Sequence, residues 1–451
     1  MANTATYRTI WRWHFYAGLF VLPFILILSV TGSIYLFKPQ IERWEEHDYR
    51  GLSLAGAVSA DQQLQAAQAM YPQGSFNHYR MPETPGDAAM VQLGLPDGSL
   101  AEIFVSPQGE VLGTLNPARR IPAVISKFHG SLLLGDWGDR LVELAASWTI
   151  VMILSGLYLW WPRPFRAGGT LWPRLSLRGR PLMKDLHRVT GFWIAGLVLL
   201  MLTSGLPWAG TWGSAFKWAR TELGLIDGPQ DWKIGSDSKA VRSEPQGNWL
   251  APAAQAHEGH DHGDMAATSS QSRFSTKEDS LPLSSFVSRA SAERMAFPVL
   301  ILPPHAPQRF GPPTGDVWTI KTETPKRPLT RSVTFDPIDG REIARSDFAD
   351  KHPIDRVINY GIAWHEGQLF GIANQILGLL TALALIGISV LGIAMWLKRK
   401  PRGAIAAPAG SIGLRRPGFI AIVAALGLLL PLFGLSLLAI LALERVFGRS
   451  G

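Results

Sequence analysis

The sequence contains no cysteine among its 451 residues. This absence excludes disulfides, thiolate zinc sites, ordinary iron–sulfur clusters and covalent haem attachment through CxxCH. Acidic residues are also nearly missing from three short segments, 1–14, 162–188 and 398–417. These segments hold 15 of the 43 Lys and Arg residues but only one of the 35 acidic residues, Asp185, so the remaining chain has 28 basic against 34 acidic residues. Short basic segments mark the cytoplasmic side of a membrane protein. The net charge of +8 therefore indicates membrane orientation, and no nucleic-acid partner is expected.

Charged residues are scarce in five apolar runs, each of about 20 residues or more, the length that crosses a bilayer as a helix. The runs are Phe15–Phe37, Leu141–Trp161, Val189–Trp208, Leu369–Leu397 and Phe419–Leu443. The first run is too long for a cleaved signal and lacks a cleavage site, so we expect it to be retained. The pattern predicts a multi-pass membrane protein whose N-terminus is cytoplasmic.

The predicted fold is an α-helical transmembrane bundle of about five helices with two small α+β modules on the outer side. The expected division is a tail and first helix at 1–37, a first outer module at 38–140, a second helix at 141–161, a basic loop at 162–188, a third helix at 189–208, a second outer module at 209–368, a fourth helix at 369–397, a basic loop at 398–418 and a fifth helix at 419–443. Within the modules, composition predicts a helix at Ala60–Met70 and strands at Ala89–Leu93, Ala101–Val105, Val317–Glu323 and Arg331–Asp336, with a further strand after the turn at Pro107–Gly109.

Two sets of residues recur along the chain. An offset of 173 carries His14, Gly18 and Gly32 onto His187, Gly191 and Gly205, and an offset of 236 carries His129, Gly135 and Gly156 onto His365, Gly371 and Gly392. The recurrence predicts a tandem duplication of the first four helices. Parallel repeats of this kind are related by a pseudo-two-fold axis along the membrane normal, and equivalent residues then face each other across that axis.

The duplication predicts two pairs of histidines, His14 with His187 at the inner face (the inner pair) and His129 with His365 at the outer face (the outer pair). Facing imidazoles suit bis-histidine haem iron, and also copper or zinc. The glycines favour haem, because a flat macrocycle can lie against a helix only where that helix carries no side chain. The candidate positions for this contact are Gly18, Gly32, Gly191 and Gly205. The alternative is a structural role, in which the histidines are interfacial and the glycines allow close helix packing.

Other residues are candidates for lesser roles. Met152, Met201 and Met395 could serve as axial ligands, although helix packing explains them. Lys127, Trp137 and Trp364 lie beside the outer ligands and could line a contact surface, although anchoring at the interface explains them equally well. His257, His260 and His262, in a polar insertion of the second module, could bind a divalent metal weakly or belong to a solvated loop.

Several longer motifs resemble those of the PepSY-associated transmembrane proteins. They are WRWHFYAGLFVLPFILILSVTGSIYLF at the N-terminus, FHGSLLLGDWGDRLVEL, DLHRVTGFW, and the turns SPQGEVLG and DPIDGREI, and the resemblance covers about residues 8–400. It implies a bacterial inner-membrane protein with PepSY-like periplasmic modules and haem b held by His14, His129, His187 and His365. Some members are ferric-siderophore reductases.

The leading hypothesis is therefore a membrane oxidoreductase with two bis-histidine haems. A quinol or a cytoplasmic donor would supply electrons to the inner haem, and the outer haem would reduce a ferric siderophore. One alternative is a non-enzymatic membrane protein whose modules bind a peptidase or another envelope partner. Another is a permease component for the chelate, which the scarcity of polar groups in the helices disfavours.

Overall fold

The protein has two layers, a bundle of long helices and an antiparallel sheet. The computed structural model describes residues 4–161, 167–226, 232, 234–235, 280–308, 312–398 and 417–447. Four described helices are long and apolar enough to cross a membrane, namely α1 (Thr4–Tyr35), α5 (Gly135–Trp160), α6 (Arg180–Gly205) and α10 (Ile372–Leu397). The chain is therefore a membrane protein.

The four long helices form a four-cornered bundle. Helix α1 packs against α5 and α10, and α6 packs against the same two helices. Helices α1 and α6 therefore occupy opposite corners, as the proposed pseudo-two-fold relation requires. Helices α5 and α6 begin at Gly135 and Arg180, earlier than the apolar runs at 141 and 189, because their first turns carry charged residues that an apolar run excludes.

The prediction of one continuous fifth helix within Phe419–Leu443 is wrong. The structure instead has two short helices, α11 (Pro417–Leu429) and α12 (Pro431–Phe447), separated at Leu430. Pro431 cannot continue a helix because it lacks the backbone N–H and its ring clashes with the preceding turn. Gly427 and Gly434 then meet closely, with the Cα of Gly427 3.1 Å from the position of a Cβ on Gly434.

One sheet unites the two outer modules that the sequence predicted as separate. Its order is β4-β3-β2-β1-β5-β6-β7-β8, with all neighbours antiparallel. The strands are β1 (Ser75–Arg80), β2 (Ala89–Gly94), β3 (Leu100–Val105), β4 (Val111–Leu115), β5 (Val299–Leu302), β6 (Trp318–Thr322), β7 (Arg331–Phe335) and β8 (Glu342–Asp347). The halves join where β1 pairs with β5, at Tyr79 with Ile301 and Arg80 with Leu300.

Helices α3 (Ala60–Met70) and α8 (Leu283–Glu293) cover one face of the sheet. Phe286 of α8 is fully buried with Ile103, Ile301 and Ile320 from three strands. The same apolar core runs through both halves, so the burial of apolar area holds the joined sheet together.

Short helices connect the sheet to the bundle. Helix α2 (Lys38–Glu45) follows α1, and α7 (Gly210–Glu222) follows α6. Helices α4 (Ile121–Ser131) and α9 (Pro353–His365) lead from the last strand of each half back to the bundle, where α4 packs on α1 and α5 and α9 packs on α6.

A buried cluster of ion pairs fixes the start of α4 against the sheet. The Arg120 guanidinium lies 2.8 Å from Glu45, 2.9 Å from Glu46 and 3.2 Å from Glu102, and Arg80 lies 2.8 Å from Glu46. Burial alone would raise the pKa of Glu46, but the hydrogen bonds and charges of the two arginines lower it. The cluster therefore positions α4, whose other end carries His129.

Candidate functional site

The outer pair of histidines meets at the end of the bundle that adjoins the sheet. His129 lies near the end of α4, and His365 is the last residue of α9. Their ring centroids are 6.2 Å apart and their planes are inclined by 77°. The structure thus brings together two residues that are 236 positions apart in the sequence.

The spacing of the two ring centroids is compatible with a metal ion bound by one nitrogen of each ring. A metal bonded to a nitrogen of each ring at about 2 Å, the usual metal–imidazole distance, would place the ring centres about 6 Å apart. Two imidazoles alone are too few ligands for a zinc site, which needs about four. The described residues contain no group of three or more His, Asp or Glu side chains that could hold a metal ion. Two imidazoles are the donor set that a metal with other ligands of its own, such as the iron of a haem, would need from the protein.

Hydrogen bonds orient the outer rings. Nδ1 of His129 lies 3.0 Å from the Thr31 hydroxyl, and the ring also lies beside the backbone carbonyl of Leu28. Nδ1 of His365 lies 2.9 Å from the Met201 carbonyl and 3.2 Å from the Ser204 hydroxyl.

The inner pair repeats this arrangement at the other end of the bundle. Nδ1 of His14 lies 3.0 Å from the Met152 carbonyl and 3.1 Å from the Ser155 hydroxyl. Nδ1 of His187 lies 3.0 Å from the Ile388 carbonyl. The structure therefore places both inner histidines at the same end of the bundle, His14 in the N-terminal half of α1 and His187 in the N-terminal half of α6, each with Nδ1 on a carbonyl of a neighbouring long helix.

These contacts fix the tautomer of the rings. A carbonyl can only accept a hydrogen bond, so the Nδ1 that faces it must carry the proton. The Ser155 and Ser204 hydroxyls donate their own hydrogens to the Met152 and Met201 carbonyls, and the Thr31 hydroxyl donates to Ile27, so each hydroxyl oxygen accepts from its histidine. Every hydrogen bond that the described residues make to the four rings is at Nδ1. Nε2 is then the bare nitrogen, as in a metal-bound histidine whose other nitrogen donates to the protein.

A glycine lies beside each ring, one helical turn after the carbonyl that the ring contacts. A Cβ on Gly156 would lie 3.0 Å from the His14 ring, and a Cβ on Gly32 would lie 3.2 Å from the His129 ring. A Cβ on Gly205 would lie 3.2 Å from the His365 ring, and a Cβ on Gly392 would lie 3.9 Å from the His187 ring. The missing side chains let the imidazoles approach the backbone of the neighbouring helix. Among the described residues, each long helix thus supplies one glycine cradle for a histidine from another helix.

The glycines predicted from the sequence therefore differ in what they contact. Gly32 and Gly205 were expected to border a macrocycle, but the structure places a histidine ring against each of them. A Cβ at Gly18 would lie 3.7 Å from the Met152 sulfur, and one at Gly191 would have no atom within 4 Å. A position beside a macrocycle stays a prediction for Gly18 and Gly191.

Sequence reasoning missed several residues of the site. Gly156 and Gly392 recur in the sequence, but their spacing alone assigns them no role. A residue with a side-chain hydroxyl directly precedes Gly32, Gly156 and Gly205, and this pattern is a signal that the sequence contains. Trp208 was also missed, and its ring meets His365 edge to face at 5.4 Å.

The other candidates lie around the site. Met152 and Met201 contribute backbone carbonyls to the histidine rings. Lys127 and Trp137 are exposed, whereas the Trp364 indole N–H is buried with no hydrogen-bond partner among the described residues. His257, His260 and His262 lie outside the described residues.

Comparison with known proteins identifies the family. No curated protein matches the chain. The model of the PepSY-associated TM region matches residues 11–399, which include all four histidines and all four glycine cradles. This match confirms the resemblance seen in the motifs. The protein belongs to the PepSY-associated transmembrane family.

Proposed function

We propose that this protein is a di-haem b electron-transfer protein of the bacterial inner membrane that reduces a ferric siderophore on the periplasmic side. The inner pair, His14 and His187, and the outer pair, His129 and His365, each hold one haem. The observation that carries the proposal is the geometry of the outer pair, whose rings are 6.2 Å apart and keep Nε2 free.

The residues of the chain prepare both sites for an axially ligated metal. Backbone carbonyls and hydroxyls accept hydrogen bonds from Nδ1–H, which makes each imidazole a stronger electron-pair donor at Nε2 and holds its plane. When bound, each haem supplies a one-electron Fe(III)/Fe(II) couple. The apolar helices around the sites keep water away and lower the local dielectric.

The two pairs lie far enough apart to serve opposite faces of a membrane. On α1, the inner pair begins at His14 and the outer pair contacts Thr31 and Gly32. This separation of 17 to 18 residues corresponds to about 26 Å along a helix. A quinol or a cytoplasmic donor would deliver electrons at the inner pair, on the side marked by the basic segments.

The outer pair lies next to the sheet, where a periplasmic substrate would arrive. Siderophores hold Fe(III) through hard oxygen ligands, and reduction to Fe(II) weakens that hold. The products would be Fe(II) and the intact chelator, so the protein needs no residue to cleave the chelator.

An absorption spectrum with a haem-to-protein ratio tests the cofactor. Purified protein should show a sharp α-band after reduction with dithionite and contain two haems per chain. His365→Ala should retain about one haem, because the inner pair is untouched. His305→Ala is the matched control, since the His305 side chain is 70% exposed and pairs with Asp316 rather than with any residue of the two histidine pairs. A colourless wild-type protein, or full haem content in His365→Ala, would contradict the proposal.

Reoxidation by substrate tests the activity. Reduced protein in liposomes should be reoxidised by an added ferric siderophore, with Fe(II) appearing in a chelator trap outside the vesicles. His129→Ala should abolish Fe(II) formation, and His305→Ala should not change it. Reoxidation by oxygen but not by any ferric chelate would restrict the function to electron transfer alone.

A second candidate is a non-enzymatic membrane protein that binds a peptidase or another envelope partner. The observation in its favour is the edge strand β8, five of whose six residues are exposed. Such a protein would keep its partner binding when all four histidines are replaced, and the di-haem protein would lose its reductase activity.

A further inference from the structure

Three of the four candidate ligands are held by a hydroxyl as well as by the backbone. Thr31, Ser155 and Ser204 contact Nδ1 of His129, His14 and His365 at 3.0, 3.1 and 3.2 Å. Each hydroxyl directly precedes the glycine that cradles the same ring. The hydroxyl and the glycine therefore form one local unit on the helix that receives the histidine.

The fourth unit, at His187, departs from this pattern in two independent ways. Leu391 occupies the place before Gly392 that Ser155 occupies before Gly156, so among the described residues His187 has only the Ile388 carbonyl as a hydrogen-bond partner. The ring also stands further from its glycine, at 3.9 Å from the Cβ position compared with 3.0 to 3.2 Å at the other three sites.

We infer that His187 is the least constrained of the four ligands, and that Thr31, Ser155 and Ser204 are positioning residues that hold the other three. The inner site is then the one at which an added ligand can displace a histidine. This inference rests on the proposed function, because it concerns how the chain holds its haems.

The physical reason is rotational freedom. A ring with two acceptors at Nδ1 loses hydrogen-bond energy whichever way it turns, whereas a ring with one acceptor can pivot about that single bond. Loss of an outer-shell partner of a metal ligand typically costs 10- to 100-fold in metal affinity or activity, so we expect differences of about tenfold here.

Carbon monoxide binding to single-haem variants tests the inference. His365→Ala and His129→Ala each leave the inner haem, and His14→Ala leaves the outer haem. After reduction with dithionite, carbon monoxide should bind the inner haem, breaking the bond between iron and His187 and forming a bond between iron and carbon. We expect this binding to be about tenfold faster than at the outer haem.

Two substitutions of similar size separate the hydroxyl from the loss of volume. In the His365→Ala background, Leu391→Ser should slow carbon monoxide binding about tenfold, and Leu391→Ala should not slow it. In the His14→Ala background, Ser204→Ala should speed binding at the outer haem, and Ser204→Thr should restore the slow rate. The ferric EPR signal, which depends on the angle between the ligand planes, should broaden in Ser204→Ala and recover in Ser204→Thr.

The outcomes distinguish the inference from the proposal beneath it. Colourless single-haem variants, together with a colourless parent, would overturn the proposed function. Haem-bound variants with equal carbon monoxide rates at the two sites, or equal effects of Leu391→Ser and Leu391→Ala, would overturn the inference alone.

Discussion

If the protein is the di-haem protein proposed above, replacing Gly156 by alanine should loosen the haem held by the inner pair, because the new methyl group would collide with the His14 ring. The added Cβ would lie 3.0 Å from Cε1 of His14 and 3.5 Å from its Nδ1. Carbon atoms in contact normally lie about 3.5 to 4.0 Å apart, so the ring would have to retreat by a few tenths of an ångström. The bond between Nδ1 and the Met152 carbonyl, now 3.0 Å, would then exceed the usual hydrogen-bond range.

The expected magnitude follows from the energetics of overpacking. Inserting a methyl group into a filled site costs about 1 to 3 kcal/mol, which corresponds to roughly a fivefold to hundredfold loss of haem affinity at that site. The effect should be graded, with Gly32→Ala and Gly205→Ala weakening the outer haem and Gly392→Ala changing little, since its Cβ would have an ordinary contact at 3.9 Å.

Transfer of haem to an excess of apomyoglobin measures these affinities. Gly196→Ala is the control, because a Cβ there meets no atom within 4 Å and alanine favours a helix over glycine by about 1 kcal/mol. If Gly156→Ala releases haem no faster than Gly196→Ala, the glycine cradle has no role in holding the ligand.

Two further predictions concern the parts that carry the site. Arg220 forms a buried two-bond pair with Asp355 in the first turn of α9, both bonds being 2.8 Å. Arg220→Met should destabilise the protein by about 3 kcal/mol and lower the haem content of the outer site, whereas Arg220→Met with Asp355→Leu should recover stability in thermal unfolding. Burial lowers the pKa of His78 in β1 to about 4, with the charge of Glu323 opposing the shift and those of Lys321 and Arg80 adding to it. The folded pKa is below the unfolded value of about 6.5, so stability is complete above pH 6.5 and falls by at most about 3 kcal/mol as the pH drops toward 4. In thermal unfolding between pH 7.5 and 4.5, the wild type should lose more stability than His78→Gln, in which only the other titrating groups contribute.

Much of the architecture could be predicted from the sequence because its signals are local and strong. The helix at Ala60–Met70 is predicted from its composition with its observed bounds, and the structure adds a capping box at Ser59 and Gln62 that fixes its start. The four long helices were found from their apolar runs. Strands β2, β3, β6 and β7 were found from alternation and turn residues.

The misses have identifiable physical causes. β5, whose residues Val299–Leu302 are all buried, shows no alternation, and β1 contains too few apolar residues to indicate a strand. Because these are the strands that join the halves, the single sheet could not be foreseen. The break at Pro431 was missed because an apolar run measures composition and ignores the backbone hydrogen bond that proline removes.

The site was foreseen at the level of pairs and missed at the level of contacts. Identical spacing in the two halves sufficed to predict that His129 would lie against His365. The direct pairing of His14 with His187 stays a prediction. The cradles depend on which helices are neighbours in space, which the spacing along one helix does not encode. Gly32, for example, serves His129 from α4 rather than His14 on its own helix.

The pairing of β1 with β5 has a mechanical consequence. Carriers that work by alternating access rock one half of the molecule against the other. Here the two halves are joined by the backbone hydrogen bonds between β1 and β5 and by the apolar core that they share. One further hydrogen bond runs from the Met81 amide to the Val299 carbonyl, at 3.0 Å. A rocking motion of the two halves would break these hydrogen bonds and expose the shared core, whereas electron transfer needs no such movement. The joined sheet therefore favours the proposed electron transfer over transport of the whole chelate.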